Sequence, residues 1–323
     1  MYKKAFVVCY FGKFKEYFQL FLDSFGHNES FDLLLFTDNR RTYNYPKNVH
    51  VTFVDFQQIQ QKIQSKFDFE VALDYPYKLC DFKPAYGYIF NEELKDYDFW
   101  GYTDTDTIFG NIDNLIDQGS YATKDKIGFL GHFTLFKNRS DINEAFKLSV
   151  KPEVGPVYRK VLSSNEIFNF DELFNNDTIN DIFINNGFSI LLKDISFNTY
   201  MKTSNIFRTT YNFDKKKFVV SREKGILVYD SGTLSFVTSN NGLLSSAEYA
   251  YVHFQARSMK MRVKNSGVMK YKIIPNAFEY LENDVSLIGG YKKEKKKNMN
   301  IHYFKLRGRN LFIKTLRKAK LTI

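Results

Sequence analysis

The strongest constraint on the fold is the alternation of strand and helix patterns in the first forty residues. Ala5–Phe11 is a continuous apolar run that ends at Gly12, which is typical of a strand buried on both faces of a sheet. Apolar residues then recur at helical spacing over Phe14–Phe25, and Phe31–Phe36 is a second apolar run. A strand, a helix and a strand in such close succession predict a βαβ unit, and therefore an α/β fold with an open sheet flanked by helices.

Further elements are predicted along the rest of the chain. They are a strand at Val49–Phe53, helices at Ile59–Phe67 and Pro84–Leu94, a strand at Phe99–Tyr102, an alternating segment at 127–136 broken by Gly131, a hairpin at 217–237 that turns at 223–225, and a strand at Tyr249–Gln255. We expect one large domain over residues 1–290 and a separate basic tail over 291–323.

The positive charge of the chain is concentrated in that tail. The 323 residues carry a formal charge of +10, and residues 291–323 contain twelve Lys or Arg and one acid, Glu294, a net charge of +11. The other 290 residues therefore carry −1, which argues against a main fold that grips nucleic acid. Aromatic and aliphatic residues are interleaved with the basic ones over 303–323, a pattern that indicates a helix bound to an anionic membrane surface.

The location of the protein is predicted from what the sequence lacks. The N-terminal apolar run is too short for a signal peptide, and no stretch reaches the roughly 20 apolar residues of a membrane span. Two cysteines, Cys9 and Cys80, cannot build a disulfide framework, which favours a reducing compartment. We expect a cytoplasmic protein held peripherally at the inner face of the plasma membrane.

The most specific chemical signal is the pair Asp104 and Asp106, which directly follows the hydrophobic strand Phe99–Tyr102. Two carboxylates at i and i+2 can converge on one hard cation, and Mg²⁺ or Mn²⁺ prefers such oxygen ligands. The carboxyl ends of strands are also where open α/β sheets bind their ligands. A solvated turn with an N-cap aspartate is the simpler alternative.

With these motifs, the sequence resembles GT-A-type, metal-dependent glycosyltransferases. Within that group, it resembles more closely a bacterial family found among capsule and lipopolysaccharide biosynthesis genes. The matching segments fall within residues 1–260. They are Tyr10–Gly12, Phe36–Asp38, Pro76–Gly87, Trp100–Gly110, Gly131–Leu135 and Tyr251–Gln255.

The resemblance implies an open mixed sheet of Rossmann type and a metal-assisted transfer of a hexose. Asp104 and Asp106 would bind Mn²⁺ or Mg²⁺, and His253 would complete the metal site, as a late histidine does in retaining transferases of the glycogenin and toxin type. This analogy favours a retaining outcome. A buried core histidine is the alternative for His253.

The resemblance also implies a donor site for a nucleotide diphosphate sugar, with uridine diphosphate as the expected nucleotide. The residues expected to contact base, ribose, phosphate or sugar are Tyr10, Phe11, Asp38, Lys78, Asp81, Lys83 and Asp104. The spacing of Asp81 and Lys83 is Asp-x-Lys, which departs from the Asp-x-x-Arg of the toxin-like branch.

Three residues are candidates for contact with the reacting groups. Asp171 and Glu172 could recognise the acceptor hydroxyl, or supply a base if the reaction inverts, and an N-cap Asp with a first-turn Glu would explain them equally. His132 could face the sugar or the acceptor, with core packing as its alternative. The expected acceptor is a glycan or a lipid-linked intermediate of bacterial surface polysaccharide synthesis.

Two other functions fit parts of the sequence. A haloacid-dehalogenase-like phosphatase would also use Asp104 and Asp106, but that family has Thr or Val where this chain has Ile108, and it places the motif on the first strand. A non-enzymatic membrane- or RNA-binding protein would act through the basic tail. No RNA-recognition motif or zinc-knuckle spacing supports nucleic acid as a partner.

Overall fold

The structure, a computed structural model, describes residues 2–153, 155–172, 177–200, 205–255, 257–264, 267–298 and 301–320. The last residues of the predicted tail, 321–323, lie outside this part. The strands are β1 (Lys4–Tyr10), β2 (Phe31–Thr37), β3 (Val49–Phe53), β4 (Phe99–Thr103), β5 (Thr107–Phe109), β6 (Lys126–Leu130), β7 (Phe133–Lys137), β8 (Ile190–Leu191), β9 (Ser196–Asn198), β10 (Thr209–Asn212), β11 (Lys217–Val220), β12 (Gly225–Asp230), β13 (Thr233–Asn240), β14 (Leu243–Glu248), β15 (Tyr251–His253), β16 (Lys260–Met261), β17 (Lys270–Ile274) and β18 (Ala277–Tyr280).

The helices lie between and after these strands. They are α1 (Phe18–Gly26), α2 (Phe56–Gln64), α3 (Tyr86–Ile89), α4 (Asn91–Leu94), α5 (Gln118–Thr123), α6 (Ser140–Asn143), α7 (Tyr158–Leu162), α8 (Ile179–Asn185), α9 (Ile288–Lys297) and α10 (Ile301–Lys320), with 3₁₀ helices at Pro76–Ala85 and Ala145–Lys147. The predicted α/β class is confirmed at this level, because the chain contains helices and several mixed sheets.

The chain divides into two compact units. Unit 1 comprises Met1–Phe14, Glu29–Thr105 and Ile116–Asp194. Among the described residues it holds a seven-stranded sheet in the order β3-β2-β1-β4-β7-β6-β8. β3, β2, β1 and β4 run parallel to one another, and β7 is antiparallel to β4. The apolar runs predicted as the first strands are buried here, as parallel strands covered on both faces require.

Unit 2 comprises Lys15–Asn28, Asp106–Leu115 and Ile195–Ile323. Its described residues form a three-stranded sheet (β5-β15-β9), a six-stranded sheet (β14-β13-β12-β17-β18-β16) and the hairpin β10-β11. Helix α1 is tied to β5 by its own polar groups. The Ser24 hydroxyl accepts a hydrogen bond from the Phe109 amide at 3.0 Å, and the Asn28 side chain bonds Gly110 and Ile112.

Two sequence predictions of local structure are wrong. The segment Pro84–Leu94 does not begin a helix at Pro84, because this proline lies inside the 3₁₀ helix Pro76–Ala85 and only the short helices α3 and α4 follow. The hairpin predicted over 217–237 does not turn at 223–225. β11 pairs with β10, and β12 turns into β13 at Ser231 and Gly232, whose φ angles of 48° and 89° suit a two-residue hairpin turn.

Helix α9, the start of the predicted tail, is anchored in unit 2 by a buried acid. Glu294 is fully buried and accepts a hydrogen bond from Lys272 Nζ at 2.8 Å and from the Asn283 side chain at 2.6 Å. Burial opposes ionisation of Glu294, but these partners outweigh it and lower its pKa. Tyr291, one turn earlier, packs with Ile226 and Val228 of β12. Among the described residues, no helix is long and apolar enough to cross a membrane.

A buried lysine makes the stability of unit 1 sensitive to pH. Lys126 on β6 is fully buried, and its Nζ donates to Gly128 O at 2.8 Å and to Asn180 Oδ1 at 2.6 Å. Burial lowers its pKa to about 7, whereas a lysine in the unfolded chain titrates near its usual value of about 10.4. Between these two values the unfolded chain binds the extra proton, so stability is expected to rise with pH.

We therefore predict that wild-type stability gains up to about 1.4 kcal/mol per pH unit from this residue between pH 7 and pH 9.5. Lys126→Met should lose that gain, while Lys95→Met, which changes an exposed lysine of the same unit, should keep it. The measurement is urea unfolding at several pH values. The prediction is contradicted if the difference in unfolding free energy between wild type and Lys126→Met stays constant over this pH range.

Candidate metal centre

The pairing of two short strands brings Asp106 and His253 together within unit 2. β5 begins directly after Asp106 and runs antiparallel to β15, with His253 opposite Thr107. The Phe254 amide donates to the carbonyl of Asp106 at 3.0 Å. This pairing places Asp106 Oδ1 3.2 Å from His253 Nε2, with both side chains largely shielded from solvent.

Asp104 completes a group of three possible metal ligands. It follows β4, whose five residues are all buried, and its amide donates to His132 O at 3.3 Å. Only Thr105 separates Asp104 from Asp106 along the chain, and the boundary between unit 1 and unit 2 falls after Thr105. One ligand atom from each of Asp104, Asp106 and His253 lies within 4.8 Å of the others. Two carboxylates and an imidazole form a donor set that can hold a metal ion, which agrees with the prediction of a metal cofactor.

His253 is itself held in place by residues of β9 and of its own strand end. Asn198 lies beside His253 in the parallel β9–β15 register, and its Oδ1 lies 3.1 Å from His253 Nδ1. The same oxygen accepts a hydrogen bond from Gln255 Nε2 at 2.9 Å. Thr199 donates to the His253 carbonyl through both its amide and its hydroxyl.

In unit 1, Lys83 joins two of the predicted site carboxylates. Its Nζ donates to Asp104 Oδ1 at 2.9 Å, to Asp171 Oδ2 at 3.0 Å and to Gly131 O at 2.9 Å. Burial works to lower the pKa of Lys83, but the charges of Asp104 and Asp171 outweigh it and raise the pKa well above the usual value. Lys83 is therefore a charged residue with three acceptors around one ammonium group.

Asp171 fits against the chain because residue 131 is a glycine. A Cβ atom at Gly131 would lie 2.9 Å from Asp171 Oδ2 and 2.7 Å from Glu172 Cγ, closer than such atoms approach. Burial raises the pKa of Asp171 to about 7, and the charge of Lys83 limits this rise. Glu172, the next residue, is exposed. The predicted pair thus divides into a buried, lysine-bound acid and a solvent-facing one.

Lys78 and Asp81 form a buried ion pair that holds the segment leading to Asp171. Lys78 Nζ donates to Asp81 Oδ2 at 2.8 Å and to the carbonyls of Val161 and Glu166. Asp81 accepts hydrogen bonds from the amides of Phe168 and Phe170, both at 3.0 Å. Both side chains are 0% exposed. In the structure this buried pair is therefore bound to protein groups, and a donor contact of Lys78 or Asp81 stays a prediction.

The remaining predicted residues lie at the ends of their strands. Tyr10 stacks on Phe14 with ring centroids 4.5 Å apart, and Phe11 packs edge-on against Phe56. Exposed Asp38 accepts a hydrogen bond from the Gly12 amide at 2.7 Å, where Gly12 has a φ of 100°. His132 is buried, and its carbonyl accepts from the amide of Asp104 and the hydroxyl of Thr103.

The structure thus brings Lys83, Asp104 and Asp171 into direct contact and pairs Asp106 with His253. Sequence reasoning missed Asn198, because it lies on the three-residue strand β9, which carries no periodicity of its own. It also missed Gln255 as a polar contact, although the segment that ends there was singled out. The positive φ of Gln255, 50°, could not be predicted, because it arises only in the folded chain.

Comparison with known proteins assigns the chain to a family. One family model, described as "Family of unknown function (DUF6625)", matches residues 6–282. The chain belongs to this family. The DUF6625 region includes each residue of the metal group and of the Lys83 network, and it ends before α9. A search of the curated proteins found no match.

We predict that Asp81→Ala strongly destabilises the protein, by about 3–5 kcal/mol, because it leaves the Lys78 ammonium buried without its anion. The amides of Phe168 and Phe170 should also exchange hydrogen faster. Asp68→Ala is the matched control, since it breaks an exposed ion pair with Arg159 and should change stability little. Urea unfolding and hydrogen exchange measure both effects. Equal stability of the two variants would contradict the prediction.

Proposed function

We propose that this protein is a metal-dependent glycosyltransferase of the GT-A type. It transfers a hexose from a nucleotide diphosphate sugar, with uridine diphosphate as the expected nucleotide, to a glycan or lipid-linked acceptor of bacterial surface polysaccharide synthesis. The observation that carries the proposal is the group of Asp104, Asp106 and His253, in which carboxylate and imidazole donors converge directly after a buried parallel strand.

The donor set fits the ion that this chemistry uses. Mn²⁺ accepts both oxygen and imidazole ligands, whereas Mg²⁺ prefers oxygen, so Mn²⁺ is the first ion to test. Asp104, Asp106 and His253 would hold the ion, which when bound neutralises charge on the nucleotide diphosphate as the sugar leaves. Lys83 holds one oxygen of Asp104 and so orients this carboxylate.

The arrangement of unit 1 supports a donor site at one edge of its sheet. β1, β2 and β4 are parallel, and Tyr10, Asp38 and Asp104 lie at or just after their carboxyl ends. In open α/β sheets this edge is where ligands bind. The order β3-β2-β1-β4 is also the order of a Rossmann half-sheet, as a GT-A fold would have.

The acceptor side of the reaction is assigned to Asp171 and Glu172. Asp171 is fixed by Lys83 and by the absence of a side chain at Gly131, so its carboxylate has a defined position. Glu172 is exposed, so an incoming hydroxyl group can reach its carboxylate at the surface. Both are proposed to accept hydrogen bonds from the acceptor. The likeness of the histidine-containing metal group to retaining transferases favours retention of configuration.

The decisive test is metal-dependent donor binding. We expect thermal shift with Mn²⁺ and a panel of nucleotide sugars to identify at least one stabilising donor, and Asp106→Ala to raise the Mn²⁺ dissociation constant at least about tenfold. Asp214→Ala, which changes an exposed acid of the same unit, should bind as the wild type does. Release of nucleoside diphosphate in the presence of acceptor then measures turnover.

Two outcomes would contradict the proposal. One is a panel in which no nucleotide sugar gives a Mn²⁺-dependent shift, and the other is unchanged binding in Asp106→Ala. Hydrolysis of a phosphate monoester that depends on Asp104 would instead favour the phosphatase alternative.

We further propose that the protein works peripherally at the inner face of the plasma membrane, through α10. At 100° per residue, the five most exposed apolar side chains described in α10 fall within an arc of about 140°, and Ile313, which is 37% exposed, lies about 60° beyond it. They are Ile301, Phe304, Leu311, Phe312 and Leu316, each 48% exposed or more. Exposed Lys305, Arg307, Arg309 and Lys314 accompany them, and Glu294, the sole acid of residues 291–323, is buried. This combination suits an anionic lipid surface.

We predict that Phe312→Asp weakens binding to phosphatidylglycerol-containing vesicles about tenfold or more beyond Asn310→Asp, because burying a Phe side chain contributes about 1.5–3 kcal/mol. Asn310 lies on the opposite side of α10, and both variants gain one negative charge, so the difference in binding isolates the contribution of the apolar face. Vesicle co-sedimentation measures it, with pure phosphatidylcholine as the neutral control. Equal binding of the two variants to vesicles would contradict membrane binding. So would binding of the wild type to single-stranded RNA that is tighter than its binding to vesicles.

A further inference from the structure

We infer that Asn198 is a positioning residue that sets the tautomer of His253, so that Nε2 is the nitrogen that offers its lone pair to the metal. This inference rests on the proposed metal centre and adds a residue to it. Asn198 is not among the site residues predicted from the sequence.

The argument begins with the atom that Asn198 presents. Its Oδ1 can only accept hydrogen bonds, and it lies 3.1 Å from His253 Nδ1. A hydrogen bond between these two atoms therefore needs a hydrogen on Nδ1. Nε2 lies 3.2 Å from Asp106 Oδ1, so it can donate to this carboxylate when it carries a hydrogen, and it is the nitrogen that can offer its lone pair when a metal ion replaces that hydrogen.

The orientation of the Asn198 amide is fixed in turn. Gln255 Nε2 donates to the same Oδ1 at 2.9 Å, which gives this oxygen a second contact. Asn198 is 2% exposed, and its carbonyl accepts from the Thr209 hydroxyl at 2.9 Å. Its strand β9 lies beside β15, so the side chains of Asn198 and His253 share one face of the sheet.

The backbone supports this arrangement at a cost. Gln255 has a φ of 50°, a left-handed conformation that non-glycine residues seldom adopt. The conformation occurs one residue after Phe254, whose amide is bonded to Asp106, and the side chain of Gln255 returns to Asn198. Strained backbone of this kind is retained where the surrounding contacts determine it, and here those contacts converge on the His253 imidazole.

The first experiment observes the imidazole hydrogens without metal or donor. In ¹⁵N-histidine-labelled wild-type protein, the His253 ring signals should show a hydrogen on Nδ1, whether or not Nε2 also carries one towards Asp106. The chain has five histidines, and His253→Gln assigns the signals. Asn198→Leu, which has a similar volume and no acceptor, should shift His253 towards the other tautomer or a mixture. Asn198→Asp keeps the acceptor and should keep the wild-type tautomer.

The second experiment measures Mn²⁺ affinity by electron paramagnetic resonance of the free ion. Asn198→Leu should raise the dissociation constant about 10- to 100-fold, as loss of an outer hydrogen bond to a ligating histidine does, and Asn198→Asp should stay within a few-fold of wild type. Circular dichroism confirms that each variant is folded.

A wild-type His253 with a hydrogen on Nε2 alone, or an Asn198→Leu variant with unchanged ring signals, would overturn the inference. Unchanged Mn²⁺ affinity in Asn198→Leu would overturn it as well. Because the tautomer is read in metal-free protein, failure of this inference is distinct from failure of the proposed transferase activity.

Discussion

The candidate site depends on the pairing of β5 with β15. These are three-residue strands, yet their register decides which side chains meet, because a slip by one residue would turn His253 to the other face of the sheet. The pairing is reinforced on both sides: β9 adds to β15, and α1 binds β5 through Ser24 and Asn28. A metal group assembled from distant parts of the chain therefore rests on a small, well-supported sheet.

Polar contacts inside the protein are organised around single buried or largely buried lysines. Lys78, Lys83, Lys126 and Lys272 each bind specific carboxylate, carbonyl or amide oxygens. Such groups are costly to bury and costly to leave unpaired, so each fixes the segments that supply its acceptors. Lys78 fixes the segment before Asp171, and Lys272 fixes helix α9. The near-neutral charge of residues 1–290 is thus compatible with a structure in which individual positive charges have defined tasks.

Much of the fold could be predicted because its signals are local. The apolar runs of β1, β2 and β4 and the motif that follows β4 are visible in the sequence, and so are Asp104 and Asp106. The ion pair between Lys78 and Asp81 could not be predicted, because the sequence does not show that both side chains are buried. A lysine and an aspartate near a candidate site suggest ligand contacts whether they are buried or exposed. The turn at Ser231 and Gly232 was missed because the Glu223–Gly225 segment has similar turn chemistry but connects different sheets. The position of Asn198 beside His253 depends on the pairing of β9 with β15, which the sequence does not show.

Helix α10 has a consequence for how an acceptor would be found. Its 20 residues form a rod about 30 Å long, and its basic residues keep it from entering the hydrocarbon core, so on a membrane it would lie in the surface plane. A protein held in this way would meet membrane-bound molecules by diffusion in the plane of the membrane. For the proposed transferase, the encounter rate with a lipid-linked acceptor would then depend on the surface density and lateral diffusion of that acceptor, and dilution of the surrounding solution would lower the supply of donor but not that of acceptor.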